Sequence, residues 1–207
     1  MCIQDKGLKA CLDALRNIEM AEIRLDLTQL TAEETSNLFK SANVPLIATC
    51  RYDSISDQDR MILLKAAIAG GAAFVDLEIE ANEQFKSEMK SFAKKHNCNI
   101  IISYHNYKET ASKETLQILI DQCFREGANI AKIATMVNTE QDAARLLGLY
   151  EKNKNLIALG MGEKGKITRV AALKLGAPFT FAAKDSLSAT APGQLTLNEF
   201  ETIYSLL

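Results

Sequence analysis

The feature that most limits the fold of this chain is an alternation. Short runs rich in β-branched and apolar residues are followed, along nearly the whole length, by longer stretches whose apolar side chains recur at helical spacing. Candidate strands fall at 1–4, 21–26, 45–50, 74–79, 99–103, 130–136, 156–160 and 179–182. Helical periodicity covers 8–18, 57–69, 84–95, 113–125, 139–150 and 169–175. A further helix opens at Thr31, which with Glu34 three residues later has the pattern of a capping box. Strand, helix and strand in succession mark parallel βαβ units. About eight strands in 207 residues fit an α/β fold, a single compact (β/α)8 TIM barrel with a short N-terminal first strand. A three-layer open sheet shows the same alternation. A chain that is 47% apolar, with no linker or low-complexity tract, can close one core, so residues 1–207 are expected to form one domain.

The polar residues favour the barrel. Strands covered by helices on one face and packed into a barrel on the other should be nearly continuous apolar runs. Here they are interrupted. Glu22, Arg24 and Asp26 stand two apart, so within one strand their side chains share a face. Asp76 and Glu78 repeat the pattern, Ser103 and His105 share a face at the end of the fifth run, and Lys132 breaks the sixth. Burying any one of these unpaired would cost several kcal/mol, on the scale of a whole domain's stability. They must therefore meet one another or a ligand. A barrel brings sequentially distant strands together and holds its chemistry at their C-terminal ends.

Each of these residues also has a plainer reading. A lone strand lysine such as Lys132 could snorkel to a rim or sit in a structural ion pair, and Glu22 with Arg24 could be a buried pair. His105 could be a satisfied core histidine, while His96, in the polar run 94–97, reads as solvated. Cys2, Cys11, Cys50, Cys98 and Cys123 are odd in number, contain no CxxC pair, and read as small packed hydrophobes. Cys50 beside Arg51 has a possible activating charge but no base in evidence. The glycine-rich stretch 160–165 lacks both the full GxGxxG spacing and a GK[ST] ending, although N–H groups in a strand-to-helix turn could still face an anion. Arg169, just beyond, is either a fork for a carboxylate or a solvated residue near a helix start. The segment 184–194 is rich in Ser, Ala and Thr and ends in Pro192-Gly193-Gln194; it reads as a lid or as an ordinary connection.

With 24 basic and 26 acidic residues spread along the chain, the formal charge of −2 leaves no electrostatic footprint for nucleic acid or a membrane surface. No apolar run approaches the roughly 20 residues of a membrane span, and no basic segment with an apolar run after it opens the chain. A small-molecule partner and a cytoplasmic location are expected. One histidine candidate with scattered carboxylates does not suggest a zinc site, so no metal is expected.

Taken jointly, Glu22-Ile23-Arg24-Leu25-Asp26, Ser103-Tyr104-His105, Ala131-Lys132-Ile133-Ala134, Gly160-Met161-Gly162 leading to Arg169, and Ala191-Pro192-Gly193-Gln194 form a set. In order and spacing this set resembles class I 3-dehydroquinate dehydratases, over almost the whole chain from Glu22 to Gln194. The resemblance implies a homodimeric (β/α)8 barrel, without a cofactor, in the shikimate route to aromatic amino acids. It implies a lyase that converts 3-dehydroquinate to 3-dehydroshikimate by syn loss of water. It makes Lys132 the imine-forming lysine, His105 the general acid/base and Asp76 an acidic position close to that histidine. It makes Glu22, Arg24, Arg51, Arg169 and Gln194 substrate contacts. Thr190 stands where the family's lid usually has serine, keeping the hydroxyl and adding a methyl. The family usually follows its third-strand arginine with Glu-Gly-Gly; here Arg51 is followed by Tyr52-Asp53-Ser54-Ile55-Ser56, so Asp76 is expected to orient His105 alone. Two other functions use the same residue types. A class I Schiff-base aldolase shares the barrel lysine but cleaves a carbon–carbon bond, and a non-catalytic barrel would bind a small acid with Lys132 as counter-ion.

Overall fold

In the computed structural model, which describes residues 1–52 and 55–207, the chain divides into two units, Met1–Ile101 and Ile102–Leu207. In the first unit β1 (Cys2–Ile3), β2 (Ala21–Arg24), β3 (Leu46–Thr49) and β4 (Phe74–Glu78) pair in parallel in that order. Parallel neighbours need long crossovers, and helices supply them: α1 (Leu8–Ala14), the single turn α2 (Leu25–Thr28) followed by α3 (Ala32–Ser41), α4 (Asp57–Ala69), and α5 (Glu83–Lys95) after β4. Strand β5 (Asn99–Asn106) begins in the first unit and ends in the second. The second unit continues with α6 (Lys113–Arg125), β6 (Ile130–Met136), α7 (Glu140–Leu147), β7 (Leu156–Met161), α8 (Lys166–Lys174) and α9 (Leu197–Tyr204), and β6 pairs in parallel with β7.

Local chemistry explains where the helices start. The Thr31 hydroxyl accepts from Glu34 N at 3.2 Å and the Glu34 carboxylate accepts from Thr31 N at 2.9 Å, the reciprocal box expected from the sequence. Thr139 forms a second such box with Asp142 at the start of α7, and the side chains of Ser56, Asn82 and Ser112 accept backbone N–H bonds at the starts of α4, α5 and α6, each cap contributing about 1 kcal/mol. The apolar stripes then go inward. Ile23, Leu38, Leu64, Leu77 and Met89 are buried in the first unit, and Leu116, Ile120, Ile133, Leu146 and Ile157 in the second. Each such side chain contributes about 1.5–3 kcal/mol on burial.

Several sequence expectations shift. Strand β2 ends at Arg24, so Asp26 lies in α2 and not on a strand face with Glu22 and Arg24. Strand β5 runs on to Asn106, which carries Ser103 and His105 on one strand. The helix expected over 8–18 closes at Ala14, and Asn17 takes a left-handed φ of 60°. The run 179–182 forms no strand, so the described residues contain seven strands where eight were expected. The run follows Pro178, which has no N–H to offer a ladder. Just past the run, Ala183 bridges in parallel to Thr196, donating to Leu195 O at 2.8 Å and accepting from Leu197 N at 2.8 Å. Helix α9 was not anticipated, although Thr196 and Glu199 carry the capping-box signal at its start. Residues 53–54, within the departure noted after Arg51, lie outside the described residues.

Candidate active site

Parallel register builds a polar row in the first unit. Arg24 stands opposite Thr49 and Thr49 opposite Asp76. Glu22 lies one pleat before Arg24 and Glu78 one pleat beyond Asp76, so all project from the same face. Thr49 donates to Glu22 Oε1 at 2.8 Å. Arg24 meets Asp26 with two bonds, Nε to Oδ1 at 3.0 Å and Nη2 to Oδ2 at 2.6 Å, the fork geometry that makes arginine–carboxylate pairs strong. Because α2 follows β2 without a loop, a residue two positions away can return to that guanidinium. Arg51, just past β3, puts Nη1 at 3.4 Å from Glu78 Oε1 and 3.7 Å from Asp76 Oδ1. Glu22, Arg24, Arg51 and Asp76, each singled out from sequence, thus fall in one cluster with Asp26 and Glu78.

The charges in this cluster hold one another. Burial works against the Arg24 charge, but the bonds to Asp26 and the fields of Asp26 and Glu22 outweigh it, so this guanidinium ionises above its ordinary value. Burial pushes the Glu78 carboxyl above its ordinary range, a shift that Arg51 opposes, Asp76 reinforces and Arg60 opposes. The Cys50 thiol is pushed up to about 12 by burial and by the Asp26 charge. At 1% exposed, Cys50 is a packed hydrophobe and not an activated nucleophile.

Sequence reasoning missed Arg60. It sits in the first turns of α4, reads as a solvated helix charge, and is 1% exposed. Its Nε donates to Cys50 O at 3.0 Å, Nη2 meets Glu78 Oε2 at 2.9 Å, Nη1 meets Asp57 Oδ1 at 2.7 Å, and the guanidinium carbon lies 4.5 Å above the Phe85 ring centre. Only the rotation of α4 against β3 and β4 makes it an interior residue.

In the second unit, Lys132 projects from the middle of β6 and is 5% exposed. Its Nζ lies 4.0 Å from the centre of the Phe181 ring, a cation–π contact inside a dry environment. Phe181 was also missed as a site residue; an aromatic in the last apolar run was the available signal. His105 is half-buried, two residues beyond the fully buried Ser103, with its ring centre 6.5 Å from that of Tyr107. His96 is exposed at the end of α5, where it stacks on Phe92 at 4.3 Å.

The glycine-rich turn acts through close backbone approach. A Cβ on Gly160 would lie 2.7 Å from Gly165 Cα, and one on Gly165 would lie 2.5 Å from Gly160 C, so neither position tolerates a side chain. Thr168 locks this contact, accepting from Gly160 N at 2.6 Å and donating to Gly165 O at 2.7 Å. The same packing orients Arg169, which is 3% exposed and donates from Nε to Gly160 O at 3.1 Å. A solvated Arg169 is therefore ruled out. At the far end of the turn Gly162 N donates to Pro192 O at 2.9 Å, so the segment 184–194, read from sequence as a lid or an ordinary connection, is tied to the end of β7. Within that segment Thr190 donates to Gln194 Oε1 from its amide at 2.7 Å and from its hydroxyl at 3.1 Å.

Among the described residues, no three His, Cys, Asp or Glu side chains gather to hold a metal ion, and no helix is long and apolar enough to cross a membrane. Residues 4–207 match the family model for type I 3-dehydroquinase. The chain is 34% identical over 215 residues to the 3-dehydroquinate dehydratase of Methanocaldococcus jannaschii, covering 98% of this chain and 94% of that one. It is 32% identical over 197 residues to that of Desulfotalea psychrophila, covering 90% and 86%. The solved structure of 3-dehydroquinate dehydratase from Geobacillus kaustophilus superposes with a TM-score of 0.88 at 25% identity, covering 100% of this chain and 89% of that one. The fold class is thus the TIM-like (β/α) class expected from the alternation. The chain is therefore an enzyme of the hydro-lyase class and belongs to the type I 3-dehydroquinase family.

Proposed function

We propose that the chain, acting as one catalytic domain, dehydrates 3-dehydroquinate to 3-dehydroshikimate through an imine on Lys132. The observation that carries this reading is the lysine itself, 5% exposed on a strand with its nitrogen 4.0 Å from an aromatic face. Burying a lysine to this degree carries a desolvation cost, which a catalytic role would justify. An imine-forming lysine gains a great deal, because the face of Phe181 favours the positive nitrogen of the iminium.

The chemistry follows from that charge. The amine adds to the substrate ketone and water leaves, giving the iminium. The positive nitrogen withdraws electrons from the neighbouring carbon, so a base of ordinary strength can take its proton, and His105 is the proposed base. The electron pair moves onto nitrogen as an enamine. It returns to expel the β-hydroxyl, which leaves as water with a proton from His105, and hydrolysis frees Lys132. With one histidine serving both proton transfers, hydrogen and hydroxyl depart from one face.

Arg169 is proposed to grip the substrate carboxylate. Its Nε bond to Gly160 O sets the plane of the guanidinium, which suits bidentate binding. Gln194 and Thr190, already joined to each other, are proposed to contact the ring hydroxyls. Glu22, Arg24 and Arg51 are the remaining proposed contacts, and Asp76 the group that orients His105.

Borohydride reduction in the presence of 3-dehydroquinate, followed by peptide mass mapping, tests the reading. An adduct on the Lys132 peptide, absent from Lys132→Ala together with appearance of the conjugated enone, is expected. Turnover by Lys132→Ala, or trapping on another residue, would remove Lys132 from the mechanism; binding without trapping would favour a non-catalytic acid-binding role.

A further inference from the structure

Arg60 poses a question of cost. A guanidinium that is 1% exposed has lost its hydration, and an apolar residue of similar size would anchor α4 on the strands with no such loss. What an apolar residue could not do is hold two acceptors at once. Nε takes the carbonyl of Cys50 at 3.0 Å, and Nη2 takes Glu78 Oε2 at 2.9 Å. Cys50 is the residue immediately before Arg51. The other oxygen of Glu78 is the one that Arg51 Nη1 approaches, at 3.4 Å. One rigid fork therefore fixes the main chain on which Arg51 is mounted and the carboxylate that its side chain meets. Phe85 beneath, at 4.5 Å, and Asp57 at 2.7 Å keep the fork from turning.

We propose that Arg60 is a positioning residue for Arg51, setting the direction of the Arg51 guanidinium through the Cys50 carbonyl and the Glu78 carboxylate. The inference rests on the reading above that Arg51 contacts the substrate. Arg60 itself touches no substrate. Its removal leaves the chemistry at Lys132 intact and loosens the binding arm, so the loss falls on KM.

The test has to separate positioning from folding. Arg60→Met alone takes from the buried Glu78 carboxylate the bond to its Oε2 and leaves it to Arg51, which risks instability, whereas Arg60→Met combined with Glu78→Gln replaces the pair by neutral groups of similar size. The double variant is expected to melt within a few degrees of wild type, to raise KM for 3-dehydroquinate about tenfold, and to change kcat less than about threefold. Glu78→Gln alone should raise KM similarly. Arg60→Lys, which keeps the cation but cannot span both acceptors, should fall between wild type and the double variant. A folded double variant with wild-type KM, or one whose loss lies in kcat alone, overturns the proposal. Borohydride trapping at saturating substrate is run on every protein. Trapping on Lys132 with an unmoved KM condemns the role of Arg60 alone, while absence of both trapping and turnover in wild type overturns the dehydratase reading and the Arg60 proposal with it.

Discussion

Replacing Gly193 by alanine should loosen the tie between the 184–194 segment and the end of β7, by an amount that the geometry sets. Gly193 has a φ of 71°, and a Cβ there would lie 2.2 Å from Gly162 O and 2.6 Å from Gly162 C. Those are backbone atoms, so no side chain can swing aside. The loop has to retreat, and retreat breaks the bond from Gly162 N to Pro192 O, now 2.9 Å. The left-handed conformation costs an L-residue about 1 kcal/mol, and the lost hydrogen bond about another 1. With residual strain the docked loop should weaken by about 2–3 kcal/mol, or about 30- to 150-fold in its opening equilibrium. Gly127→Ala is the control, because Gly127 also has a positive φ, 94°, but a Cβ there meets nothing within 4 Å. Native-state hydrogen exchange at the Gly162 amide reads the difference. Faster exchange in Gly193→Ala and none in Gly127→Ala is expected, with kcat/KM for 3-dehydroquinate falling only in the former. Unchanged protection of Gly162 in a folded Gly193→Ala protein would refute the reasoning.

Arg169→Lys keeps a charge but loses the fork and the bond to Gly160 O, so kcat/KM should fall by the equivalent of about 1–3 kcal/mol, part of it in kcat through misplacement of the substrate; wild-type steady-state kinetics would sink the carboxylate clamp. Cys50, with its thiol held near 12 by burial and by Asp26, should present at pH 8 only roughly one thiolate in ten thousand, so iodoacetamide should label it in urea and leave it unlabelled in the native protein. Native labelling at the unfolded rate, read by peptide mass spectrometry, would contradict that environment.

Much of the scaffold was legible because its signals are local. Thr31 with Glu34 announces a helix start whatever surrounds it, and the bounds of 57–69, 113–125 and 130–136 coincide with those of α4, α6 and β6. Lys132, Arg24 and Asp76 stood out because a charge in an apolar run needs an explanation, whereas Arg51 became a site candidate through the family resemblance and Arg169 through that resemblance and its place after the glycine-rich stretch. Errors gathered where neighbours in space override neighbours in sequence. Alternation assigned Asp26 to the face of Glu22 and Arg24, but β2 turns directly into α2 and Asp26 reaches the same guanidinium from the side. The apolar content of 179–182 suggested a strand, but Phe181 serves instead as the surface under Lys132 Nζ.

Sequence by itself determined the order of parallel units, the helix caps and which ionisable side chains had to be accounted for, since periodicity, capping and the cost of a buried charge act over a few residues. Only the tertiary structure decided what those charges meet. The rotation of α4 that buries Arg60 against Glu78 and Cys50 O and the seating of Gly193 on Gly162 depend on packing between elements separated along the chain, and the close approach of Gly160 to Gly165 that orients Arg169 depends on how the turn after β7 folds back on the strand. Steric contact at such distances leaves no periodic trace in a single sequence, so these features can be read only from the folded chain.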